Sequence, residues 1–179
     1  KKKIKKPINL EMAPTIAMVN FALKLKPKFV CIVPEKRREV TTEGGLNLNQ
    51  KNLKILINKL KKNNIEVSLF INPSIKDIRN SYKLGANAIE IHTGSFAKAI
   101  KAKNKIKTNY EFDKIKKCKL ECDKTKMKFN LGHGLDYEST KYLNKIKNIN
   151  EYNIGHFIIG ESLFDGFPKV IKKFKRLIS

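Results

Sequence analysis

The sequence predicts an α/β fold of parallel strands, curled into a barrel rather than spread as an open sheet, and three observations predict it. Short apolar runs alternate with longer segments whose apolar residues recur at helical spacing, an order that calls for parallel strands joined by right-handed crossovers. Several strands carry one polar and one apolar face: Asn9 and Glu11 stand opposite Leu10 and Met12, and Glu90 and His92 stand opposite Ile89 and Ile91. A strand covered by helices on both sides reads as nearly continuous apolar sequence, so polar groups gathered on one side near the carboxyl end favour a barrel lumen. Alternation of elements alone would leave an open doubly wound sheet equally possible. Third, His92, His133 and His156 each stand just past a short apolar run and one or two residues from a glycine. That is how the carboxyl end of a parallel strand looks when it delivers a titratable side chain into a site built from strand-to-helix turns.

The predicted strands run from Ile8 to Met12, Phe29 to Val33, Glu66 to Ile71, Ala88 to His92, Lys128 to Leu131 and Tyr152 to Ile154. Between the first strands, Ile16, Val19, Ala22 and Leu23 recur at helical spacing, as do Leu53, Leu56, Ile57 and Leu60. Further helices are predicted from Ser74 to Leu84, Tyr110 to Asp123, Ser139 to Ile146 and Pro168 to Leu177, with a short helical stretch from Phe157 to Leu163. Six strands fall short of an eight-stranded barrel. The expectation is therefore a basic segment over residues 1–7 and a barrel domain over residues 8–179 that lacks its first two βα units.

The 179 residues suit one domain with a sizeable core. Lys and Arg number 39 against 16 Asp and Glu, for a formal charge of +23. The lysines are spread over faces that periodicity assigns to solvent, and no Arg-rich, aromatic-interleaved stretch accompanies them, so nucleic acid is not the expected partner. Three cysteines at irregular spacing imply reduced thiols in the cytoplasm. Cys31 falls in an apolar strand and reads as core. Cys118 and Cys122 lie four apart on a predicted helix, with no nearby His or Cys pair to complete a metal site. No apolar run approaches the ~20 residues of a membrane span, and no membrane association is expected.

The long charged segment from Val33 to Leu46, Val-Pro-Glu-Lys-Arg-Arg-Glu-Val-Thr-Thr-Glu-Gly-Gly-Leu, follows the second strand. Seen alone it would be a solvated loop, or a cover contributing hydroxyls and backbone N–H groups to an anion. Together with Asn9-Leu10-Glu11-Met12-Ala13, Ser68-Leu69-Phe70-Ile71, Ile89 to Gly94, Gly132-His133-Gly134-Leu135 and Asn153 to Gly160, it resembles the signature segments of the pyridoxine 5'-phosphate synthase family. The resemblance runs from Ile8 to the C-terminus.

It implies a (β/α)8 TIM barrel that assembles into dimers or octamers, and an enzyme of the deoxyxylulose-dependent vitamin B6 pathway. Its substrates would be 1-deoxy-D-xylulose 5-phosphate and 3-amino-2-oxopropyl phosphate, condensed with loss of phosphate and water and without metal or organic cofactor. Carried over by motif, Glu11 is implied as a general acid/base, Glu90 as the glutamate assisting proton transfer and His133 as the proton donor. Thr41 is implied as a contact to the deoxyxylulose phosphate, and Gly134, Gly155 and His156 as contacts to the aminoketone phosphate. The residue types suit this chemistry, because Schiff-base formation, dehydration and ring closure require several proton transfers around one carbon skeleton. Residues 1–7 match neither the family's first-strand Asn-x-Asp-His segment nor its second strand. Leu131 replaces a usual alanine and Glu161 a usual arginine, which would weaken an adjacent phosphate site by like-charge repulsion. Two alternatives compete with the enzyme: a catalytically impaired remnant, and a basic RNA-associating α/β module that would bind with steep salt dependence. Retention of Glu11, Glu90, His133 and the Thr41 segment together favours the enzyme.

Overall fold

The computed structural model describes residues 5–34 and 44–178. Six strands, β1 (Asn9–Met12), β2 (Phe29–Ile32), β3 (Glu66–Ile71), β4 (Ala88–His92), β5 (Lys128–Gly132) and β6 (Glu151–Asn153), form one sheet in sequence order, each parallel to the one before. All six predicted strands are present, each bound within one residue of its predicted place.

The sheet is curled. Glu90 Oε2 on β4 accepts from the Cys31 thiol of β2 at 3.5 Å and from Asn153 Nδ2 of β6 at 2.6 Å. In a flat sheet β2 and β6 would lie roughly 19 Å apart, at ~4.8 Å per strand, and could not meet at one oxygen atom. The described strands thus form part of a TIM-like barrel wall, with Glu90 on its concave side.

The convex side carries the core. Met12, Val30, Ile32, Val67, Leu69, Ile71, Ile89, Ile91, Phe129 and Leu131 alternate with the concave residues and pack against the helices in one cluster. Burying an aliphatic or aromatic side chain of this size stabilises by about 1.5–3 kcal/mol before entropy is counted, so this layer supplies most of the drive to fold.

Helices follow every strand. Helix α1 (Ile16–Leu25) starts at Thr15, whose side chain accepts from the Met18 N–H at 3.2 Å. Helix α2 (Leu53–Lys61) buries Leu53, Leu56, Ile57 and Leu60, the predicted stripe. Helix α3 (Ile75–Leu84) is capped by Ser74 and stopped at Gly85, whose φ of 86° a residue with a Cβ rarely adopts. Helix α6 (Tyr137–Leu143) opens with a reciprocal cap between Asp136 and Ser139, and α8 (Phe167–Ile178) carries Pro168 in its first turn. Some helices differ from expectation, among them α6, which starts two residues before the predicted Ser139 and ends three before Ile146. A short α4 (Gly94–Lys101) directly follows β4, and α5 (Lys105–Cys122) begins five residues earlier than Tyr110 because the Asn104 side chain caps the Lys107 N–H. Helix α7 spans His156–Asp165, longer than the predicted stretch. Among the described residues no helix is long and apolar enough to cross a membrane.

Candidate active site

Glu90 sits mid-strand with 4% of its surface exposed, flanked in sequence by Ile89 and Ile91 on the convex side. Its side chain crosses β5 at Gly132 to reach Asn153 on β6. A Cβ on Gly132 would fall 1.9 Å from Glu90 Oε1, so only glycine leaves room for the crossing. Burial pushes the Glu90 carboxyl up to about 7; the Asn153 amide opposes that, the Glu11 carboxylate adds to it, the Cys31 thiol opposes it, and Glu151 adds to it. A carboxyl that titrates near neutrality both gives and takes protons at working pH.

Cys31 corrects the sequence reading in part. It is fully buried, as expected of core, yet it lies on the concave side against Glu90 rather than among the aliphatic residues. Burial, and then the neighbouring Glu90 and Glu11, raise its thiol well above the ordinary range, so it stays protonated and donates. Glu11 is the register partner of Cys31 on β1 and is exposed on the same concave side.

His133 stands immediately past β5 with φ of 70°, and Gly134 follows with φ of 76°. Two consecutive left-handed residues turn the chain sharply and present the imidazole at the carboxyl end of the sheet, a strain of order 1–3 kcal/mol at the histidine that the surroundings must hold. Thr93 supplies part of that hold: its buried hydroxyl donates toward the carbonyls of Gly132 at 2.8 Å and His133 at 2.7 Å. The His133 ring stacks on His92 with centroids 4.5 Å apart, and Phe70 meets His92 edge-on at 5.4 Å. Gly94 admits the pair, since a Cβ there would come within 2.8 Å of His92 and 2.9 Å of His133. His92 Nε2 also accepts from the Gly44 N–H at 3.4 Å.

Gly155 is the N-cap of α7 and His156 its first residue. The first N–H groups of a helix and its dipole favour an anion there. The three histidines thus end or follow successive strands, β4, β5 and β6, at one end of the sheet.

One cleft of about 1150 Å³ joins these groups, lined among others by Glu11, Glu90, His133, Gly134, Gly155 and His156. Six of the seven sequence-predicted site residues therefore share it, and Thr41 lies outside the described residues. The volume slightly exceeds the ~300–1,000 Å³ of ordinary small-molecule sites. Sequence reasoning missed Asn153 and Cys31, and gave His92 no role beyond marking the face. Asn153 has the inward parity of its strand and stands two residues before Gly155, which was the available signal.

A family model described as pyridoxal phosphate biosynthesis protein PdxJ matches residues 1–179. Pyridoxine 5'-phosphate synthase of Pelagibacter ubique (strain HTCC1062) is 49% identical over 171 residues, 94% of this chain and 71% of that protein. The enzyme of the same name from Sulfurihydrogenibium sp. (strain YO3AOP1) is 47% identical over 174 residues, 96% of this chain and 70% of its own length. Among solved structures, the tryptophan synthase A-subunit of Pyrococcus furiosus superposes with a TM-score of 0.64 over 99% of this chain and 68% of that one. At 14% identity that likeness concerns the fold alone.

Proposed function

The chain belongs to the family of pyridoxal phosphate biosynthesis proteins, and on that premise we propose that it is a pyridoxine 5'-phosphate synthase acting on 1-deoxy-D-xylulose 5-phosphate and 3-amino-2-oxopropyl phosphate. The observation that carries the reading is the convergence of Glu11, Glu90 and His133 on one cleft, beside the amino end of α7.

The reaction joins an amine to a ketone, expels water and phosphate, and closes a ring. Each step moves a proton to or from a carbon, nitrogen or oxygen of the substrates. In this reading His133 donates to leaving oxygens, Glu11 at the open side of the cleft takes and returns protons, and Glu90 serves steps that need a carboxyl in either state near neutral pH. Gly134, Gly155 and His156 hold the aminoketone phosphate, with the α7 N–H groups facing its charge. Thr41 is assigned to the deoxyxylulose phosphate. The chemistry is carried by these side chains and needs no metal or organic cofactor.

The barrel-forming domain in this reading is residues 8–179, preceded by the basic residues 1–7. The enzyme is placed in the cytoplasm, where its free cysteines remain reduced, and in a homo-oligomer, a dimer or octamer. Leu163 and Phe164 on α7, 82% and 89% exposed, favour such association.

The test is turnover of the two phosphorylated substrates by Glu90→Gln and His133→Ala. General acid/base loss should cost on the order of 10²- to 10⁴-fold in kcat with the fold intact. Near-normal turnover by both variants would remove the assignment.

A further inference from the structure

We propose that Asn153 is a positioning residue for Glu90, one that fixes which carboxylate oxygen exchanges protons with the substrates. The inference rests on the synthase reading, because it concerns how Glu90 performs there.

The geometry is specific. Asn153 Nδ2 donates to Glu90 Oε2 at 2.6 Å, and the Cys31 thiol donates to the same oxygen at 3.5 Å. Both donors take Oε2. No donor among the described residues pairs with Oε1, which lies against Gly132 in the cleft wall. Gly132 and Asn153 are register partners on β5 and β6, so the missing Cβ of one and the amide of the other form a single slot. A glutamate laid across a neighbouring strand has three rotatable bonds to lose, and without a partner at its far end the carboxylate would sample several rotamers. Oε2 is held, so the proton resides on Oε1, and Asn153 at the end of β6 stands two residues before Gly155, the N-cap of α7.

An amide donor also favours the ionised carboxylate, since it bonds best to the charged oxygen. The groups facing Glu90 from neighbouring elements are Glu11 on β1, Cys31 on β2 and Glu151 on β6, with His133 beyond β5 in the same cleft. The two carboxylates oppose ionisation of Glu90, which leaves Asn153 as its principal counterweight.

The experiment compares pH profiles of kcat for the full chain and for Asn153→Ala, each also in a Glu90→Gln background. Asn153→Ala should lower kcat on the order of tenfold, with KM for both phosphorylated substrates nearly unchanged, and should move the limb that follows Glu90 to higher pH. In the Glu90→Gln background the same change should cost less than about twofold, the mark of one residue acting through another. A limb that stays in place, or an equal loss in both backgrounds, overturns the proposal. Should Asn153→Ala fail to fold, Asn153→Asp keeps the shape, removes the donor and should move the limb further still; an unmoved limb there overturns the proposal equally. Failure of the synthase reading has a different signature, because the unsubstituted chain itself would then not turn over the two phosphorylated substrates.

Discussion

The two faces of the same strands obey different rules. On β4, Ile89 and Ile91 are fully buried against the helices, and Glu90 between them is 4% exposed on the concave side. All three are removed from water, yet the convex pair is held by volume and the concave residue by directed donors at 2.6 and 3.5 Å. The convex face therefore stores stability and the concave face stores chemistry. Because neighbours in sequence point to opposite faces, mutations one position apart should separate the two properties.

The sharpest break is between Glu90→Gln and Ile91→Ala. Glu90→Gln should lose on the order of 10²–10⁴ in kcat while its urea midpoint holds or rises, since it replaces a buried carboxyl that prefers to be neutral. Ile91→Ala should do the reverse, losing about 2–5 kcal/mol of stability through cavity formation while the folded fraction turns over normally. Equal effects of the two variants on both readouts would erase the distinction between the faces.

Next in size is a pH effect confined to the concave face. The folded chain holds the Glu90 proton more tightly than the unfolded chain does, so its contribution to stability is fully present below the ordinary glutamate range near 4.5 and is lost as pH rises through about 7. The loss should reach about 3 kcal/mol, and urea unfolding at a series of pH values should show it in the wild type and not in Glu90→Gln. A wild-type slope equal to that of Glu90→Gln would mean that burial of Glu90 carries no such cost.

Gly132→Ala comes third, because at one concave residue it should disturb stability and chemistry together. The added Cβ would meet Glu90 Oε1 at 1.9 Å, so the side chain must leave its slot or the strand must shift. A cost of about 1–3 kcal/mol in stability is expected from overpacking, together with a fall in kcat that tracks the displaced carboxylate. The smallest effect is far from either face: Thr15→Ala removes the cap of α1 and should cost about 1 kcal/mol by thermal unfolding with kcat unchanged.

Much of this comparison was legible in the sequence, for a physical reason. Alternation along a strand is a local property, so the pattern Ile89-Glu90-Ile91-His92 announced both faces, and each histidine beside a glycine announced a strand end. Local signals failed where the structure depends on contacts across the sheet. Cys31 and Asn153 belong to β2 and β6, and nothing within either strand reports that the sheet curls until both reach Glu90. Helix α4 was missed because it follows β4 at once and opens on Gly94, a residue that normally breaks helices; here it makes room for the His92 and His133 rings. Helix α5 began earlier than expected because the cap at Asn104 outweighs the weak apolar periodicity of the segment before Tyr110.

The claim beneath all of this is that Glu90 is kept ready to give or accept a proton at neutral pH in a cleft it shares with His133. Carbon-13 NMR of the side-chain carboxyl, assigned by difference from Glu90→Gln, measures its titration directly. A midpoint near pH 7 is the predicted result, and a midpoint in the ordinary glutamate range near 4.5 would contradict it.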